Sequence, residues 1–303
     1  MMRPITTLLT ILAFNPAAAR HPLVPTQKKL PKLRGGHIYE QNPTYQSSPT
    51  LGDVDTNGYY KSTSFAIPNN RKPPPITKLI YDYFSSLYEF SPTLSYGTYT
   101  SLILFVLWQF TSTSHQMNQV LQRHFVCNRR NIKQRRYHTL FTSSFSHASL
   151  HHLAVNLYAF LSFGPSVANV LSAQSVDLWP FVVSAALFGS LTFLALDKRG
   201  MGSCIGLSGV TLALLAFDSL VYPSKELRMI VSFIPIHLPA YYLYLGLLGF
   251  SILGVLGLVG GRSNVAHSTH LGGLVFGHCF YEAFRRGWIR RWNYQIRRAL
   301  QHR

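Results

Sequence analysis

With 303 residues, 47% of them apolar and only 13% charged, the chain has the length for one large domain or two small ones and too little charge for an ordinary soluble protein. Its formal net charge of +18 does not indicate a nucleic-acid partner, because the basic residues flank apolar runs in loops and at both ends, where they meet anionic membrane lipids. Three widely spaced cysteines, Cys127, Cys204 and Cys279, include no CxxC pair, which excludes a disulfide framework or a thiolate metal site and leaves them as small packing residues.

Residues 1–39 carry Arg3, Arg20, Lys28, Lys29, Lys32 and Arg34, with no acid before Glu40. That pattern predicts an organelle transit peptide over about 1–35. A secretory signal is the competing assignment, with Leu8–Ala13 as its apolar core and Ala17-Ala18-Ala19 as its cleavage site. A polar linker follows, with Gly35-Gly36, Asn69-Asn70 and Pro73-Pro74-Pro75, and it passes into an amphipathic juxtamembrane stretch that closes the segment 36–95.

Apolar runs then predict membrane spans at Tyr96–Phe110, Leu150–Leu171, Leu178–Leu196, Ser208–Tyr222, Ala240–Val259 and Ala266–Ala283. An Arg-rich loop separates the first two, and the partly apolar stretch Leu227–Pro239 is expected as a broken or re-entrant connection. Residues 286–303 form a basic tail. The expected fold is an all-α polytopic membrane protein, a six-helix transmembrane bundle over 96–285.

Consecutive spans alternate in direction, so the second, fourth and sixth all begin on one face. Their first turns carry His147, His151, His152 and Asn156, then Ser208, then His267 and His270. Ionisable groups at membrane depth are costly, and each is a site hypothesis. Taken alone, Gly206-Leu207-Ser208-Gly209 at the start of an apolar helix is a packing element. Alternation makes its serine a neighbour in depth of the histidines.

A serine hydroxyl becomes nucleophilic when a base within hydrogen-bond reach takes its proton, and an imidazole does this near neutral pH. Gly273 and Gly277 follow His270 on its face of the helix, and Gly209 and Ala213 form a matching strip, so the backbones can approach and bring His270 to Ser208. His152 and Asn156, four apart, share a helix face and supply N–H donors. With the backbone N–H groups of Leu207 and Ser208 they form a candidate oxyanion hole. Gly206 frees the turn. No acid is placed to orient His270, so the expected unit is a Ser–His dyad, and His267 is expected to be satisfied by a backbone carbonyl.

The phrases Ser143-Ser144-Phe145-Ser146-His147, His151-His152-Leu153-Ala154-Val155-Asn156, Gly206-Leu207-Ser208-Gly209 and His270-Leu271-Gly272-Gly273 with Gly277 resemble the rhomboid intramembrane serine proteases, most closely their mitochondrial presenilin-associated branch. The resemblance implies Ser208 as nucleophile, His270 as general base and then acid, His152 and Asn156 as oxyanion donors, and His147 as a brace for the loop between the first two spans. It implies single-span membrane proteins as substrates, no cofactor, and a multi-pass place in the mitochondrial inner membrane; another organelle or a secretory-pathway membrane is the alternative. Two departures stand out. His138-Thr139 occupies the place of a Trp-Arg pair common in the family, and no extra span is evident between Asn15 and Ser95. The competing functions are a rhomboid-like protein that binds membrane segments without cutting them, and a histidine-box metal enzyme, which has too few histidines here.

Overall fold

A computed structural model describes residues 75–197, 200–231, 234–259 and 265–301. The expected transit peptide, and the linker up to residue 74, lie outside the described residues. Residues 80–301 belong to one compact unit.

The juxtamembrane stretch is a helix, α1 (Ile76–Phe90), and the first predicted span is α2 (Pro92–Gln109), which starts four residues ahead of Tyr96. Pro92 sets the break, because a proline disfavours helical backbone at the residue before it and is tolerated in a first turn. Ser91 is accordingly extended. α2 packs on the next long helix through small residues: a Cβ on Gly97 would lie 2.9 Å from a Phe160 ring carbon, and one on Gly164 would overlap the Leu94 side chain.

The Arg-rich loop is ordered. It holds α3 (His115–His124), β1 (Cys127–Asn128), α4 (Arg129–Lys133) and α5 (Thr139–Thr142). Ser114 and Asn128 cap α3 and α4 by accepting the N–H groups of Met117 and Asn131. Buried Asn131 donates to the carbonyls of Gln122 and Val126 and accepts from Arg136. Where the family's Trp-Arg pair would sit, His138 stacks on His124 with ring centroids 5.2 Å apart, and Thr139 is buried with its hydroxyl on the Arg136 carbonyl.

Next come α6 (Leu150–Ser172) and α7 (Leu178–Leu196), both long and apolar enough to cross a membrane. Then follow β2 (Ser203–Cys204), paired antiparallel with β1 so that Cys204 faces Cys127, and α8 (Ser208–Val221). The stretch expected as a broken or re-entrant connection is instead an antiparallel hairpin, β3 (Glu226–Val231) and β4 (Ile234–Pro239). Pro235 and Pro239 remove donors that a helix would need, while Ile230, Val231, Ile234 and Ile236 are β-branched. α9 (Ala240–Val255) stops four residues short of Val259. Gly257, at φ +77°, closes it, with Leu258 N–H on the Leu253 carbonyl and Gly257 N–H on that of Gly254. α10 (Val265–Arg285) covers the last predicted span, and Gly287 at φ +71° turns the chain into α11 (Trp288–Gln301), a helix where a basic tail was expected.

α8 is the central helix, with ten of its fourteen residues buried among α6, α7, α9 and α10. Phe217 meets Phe181, Phe280 and Phe284 edge-on at 5.3–5.8 Å, a geometry that the ring quadrupoles favour. Towards its C-terminal end, buried Asp218 accepts from Ser166, on α6 just past Pro165, and from the Lys225 ammonium at 2.7 Å. That ion pair anchors the C-terminal end of α8.

Candidate active site

Helix α8 opens with Leu207 as N-cap, so the N–H groups of Ser208, Gly209 and Val210 have no partner within the helix. Just before it, Gly206 takes φ +115°, which only glycine adopts readily, and its N–H bonds to the Ser143 carbonyl at 2.9 Å. The vacant side of Gly206 is filled by His152: a Cβ there would lie 2.5 Å from the imidazole Cε1 and 2.8 Å from Nε2. His152 is thus seated on the turn that presents Ser208.

His152 lies in the first turn of α6, whose N-cap Ser149 accepts its backbone N–H. Asn156, one turn on and buried, gives one amide hydrogen to the His152 carbonyl at 2.9 Å and keeps a second. His151 is exposed, as the 100° turn between adjacent helical residues requires.

α8 and α10 run parallel and in backbone contact. A Cβ on Gly273 would overlap the Gly209 carbonyl, and one on Gly277 would overlap that of Ala213. One turn before Gly273 stands half-buried His270. The approach involves a third helix, because Gly272 meets Gly189 of α7 and Gly189 lies against Gly209.

His147 is fully buried and spans two segments: it contacts the Phe145 carbonyl through Nδ1 at 3.2 Å and accepts the Leu207 N–H at Nε2, 3.3 Å. Only the neutral Nδ1–H tautomer satisfies both bonds. It follows that Leu207 N–H, expected as an oxyanion donor, is already committed to His147; the helix-start donors left are those of Ser208, Gly209 and Val210. Burial, and His152 beside it, pull the His147 pKa down to about 4. The unfolded chain protonates this imidazole near pH 6.5, so stability is full above that value and is lost as pH falls towards 4. Melting temperatures followed from about pH 7 to about pH 4 are expected to fall less steeply in His147→Gln, whose amide accepts a bond without titrating. Equal slopes in the two proteins would remove His147 as the cause.

His267 departs from expectation. It is buried, its ring fills the space beside Gly254 and lies edge-on to Phe250 at 5.1 Å, and its Nδ1 has no hydrogen-bond partner. The α9–α10 packing, not a backbone carbonyl, holds it.

The structure adds Cys204 and Thr269, whose Sγ and Oγ1 are 3.1 Å apart, linking the strand before the serine turn to the residue before His270. Gly189 and Gly272 join the close-contact set. Gly189 sits among other small residues of α7, Ala185, Ala186 and Ser190, so nothing local in the sequence singles it out. Among the described residues no three His, Cys, Asp or Glu side chains converge as a metal site.

A family model described as "Rhomboid domain" matches residues 134–286, half of the chain, including every one of these groups. The chain belongs to the rhomboid family. This rhomboid is 30% identical over 203 residues to RHOMBOID-like protein 12, mitochondrial, of Arabidopsis thaliana, covering 62% of the chain and 56% of that relative. It is 25% identical over 203 residues to the human presenilin-associated rhomboid-like protein, mitochondrial, covering 66% and 50%. It is 26% identical over 183 residues to rhomboid protein 1, mitochondrial, of Saccharomyces cerevisiae, covering 58% and 49%. It spans about half the length of these curated relatives and resembles the mitochondrial, presenilin-associated branch.

Proposed function

We propose that this rhomboid is an intramembrane serine endopeptidase with six membrane-spanning helices, α2, α6, α7, α8, α9 and α10. The observation that supports the reading is the parallel backbone contact of α8 with α10 at Gly209–Gly273 and Ala213–Gly277, which brings together the N-terminal halves of the helices that bear Ser208 and His270. In the proposed reaction the Ser208 hydroxyl attacks a peptide carbonyl while His270 takes its proton. His152, the second amide hydrogen of Asn156 and the free N–H groups at the start of α8 hold the oxyanion. His270 then protonates the departing amine, and a water deprotonated by the same imidazole releases the acyl group from Ser208. No cofactor takes part.

The substrates are single-span membrane proteins, cut where the helix is locally unwound near the membrane face, because a peptide bond inside a regular helix is shielded by its own hydrogen bonds. The mitochondrial names of the relatives support a multi-pass location in the mitochondrial inner membrane. Membrane lipids are the surrounding partner. The testing experiment is labelling of the purified protein by a serine-reactive fluorophosphonate. Labelling at Ser208 that is lost in His270→Ala is expected; absence of labelling in folded wild-type protein would instead favour a rhomboid-like protein that binds membrane segments without cutting them.

A further inference from the structure

We propose that α11 is an interfacial helix that binds anionic phospholipid headgroups on the membrane face opposite the catalytic turn. The inference rests on the membrane-spanning part of the reading above and is independent of its chemistry.

Placement comes first. From Gly273, packed on Gly209 next to the serine, to the end of α10 at Arg285 is twelve residues of helix, a rise of about 18 Å, so α11 begins at the far end of the bundle. There Asn293 and Arg297 donate to the Ser175 carbonyl, at 2.6 and 2.8 Å, in the connection between α6 and α7. Were α11 a continuation of α10, Arg297 would stand a further ~15 Å beyond the bundle end. Because Arg297 reaches the α6–α7 connection on that same end, α11 lies along the face.

Its two sides differ in chemistry. Trp288, Trp292 and Ile296 recur every four residues, with Ile289 beside them; Arg290, Arg291, Arg297 and Arg298 occupy the other side. Ile289 packs on the core, but Trp288 is 54% and Trp292 64% exposed. Two exposed indoles and a row of guanidiniums on a helix lying along the end of a spanning bundle match an interface, indoles at the acyl boundary and arginines among headgroups. The sign of the headgroup follows from charge. From residue 283 to the end of the chain there is no acidic residue, and Glu282 is already paired with Arg285 and Arg286. Each exposed arginine near an anionic leaflet adds attraction that a zwitterionic one does not supply.

The full chain carries four tryptophans, Trp108, Trp179, Trp288 and Trp292. Trp108→Phe with Trp179→Phe leaves α11 as the sole indole fluorophore. In nanodiscs, phosphatidylglycerol brominated on its acyl chains is expected to quench this emission about twofold more than the same mole fraction of brominated phosphatidylcholine. Arg290→Gln with Arg291→Gln and Arg298→Gln, which spares the contacts to Ser175, should abolish that preference and leave fluorophosphonate labelling unchanged. Equal quenching by the two lipids overturns the anionic assignment. Quenching by neither overturns the interfacial placement and leaves the charged face to an acidic protein or a nucleic acid. Failure of the catalytic reading would show separately, as loss of labelling with the lipid preference intact.

Discussion

Ser208→Ala is expected to lower cleavage of a membrane substrate by at least about a thousandfold, with His270→Ala close behind, and the double variant no lower than Ser208→Ala alone. In the proposed mechanism the two side chains act in one step. Without the imidazole the hydroxyl keeps its proton, and without the hydroxyl the imidazole has no nucleophile to activate. Independent contributions would multiply instead, so the double variant would fall by the product of the two losses. Initial rates of the four proteins in one detergent, with melting temperatures as a control on folding, read this directly. Cleavage by Ser208→Ala at the wild-type rate would refute the assignment. A multiplicative double variant would say that His270 acts on something other than Ser208.

The apolar runs that became α6, α7 and α8 are nearly as legible in the sequence as in the structure, because their ends carry local signals. Ser149 precedes α6 and caps it, Asp177 stands at the N-cap of α7, and Pro223 follows α8. What escaped depends on distant partners. Leu207 looks like any free N–H at a helix start until His147, sixty residues away, is found accepting from it. His267 reads as a polar residue needing a carbonyl, yet its surroundings are set by Gly254 and Phe250 on another helix. The hairpin escaped for a different reason: a short apolar stretch with prolines does not reveal its pairing until both strands are seen. α11 was legible in principle, since Trp288, Trp292 and Ile296 show the helical period, but the density of arginine there outweighed the pattern.

The second large effect is at Gly273, where alanine is expected to destabilise the protein by about 3 kcal/mol and to impair cleavage in whatever folds. The added carbon would overlap the Gly209 carbonyl and stand 2.9 Å from its carbon, so the obstruction is backbone, which no rotamer change can relieve. α10 would have to move off α8, and His270, one turn away, would move with it. Since a displacement of about 1 Å at a reacting centre can cost a hundredfold, the loss in rate should exceed what the unfolded fraction explains. Gly246 provides the contrast. It lies on α9 with nothing within 4 Å of its would-be Cβ, so alanine there should be neutral or stabilise the helix by up to about 1 kcal/mol. Melting temperature and initial rate measured on both variants separate the mechanisms. If Gly273→Ala matched Gly246→Ala in both, the α8–α10 contact would not matter to the proposed pairing of Ser208 with His270, and the observation supporting the protease reading would fail with it.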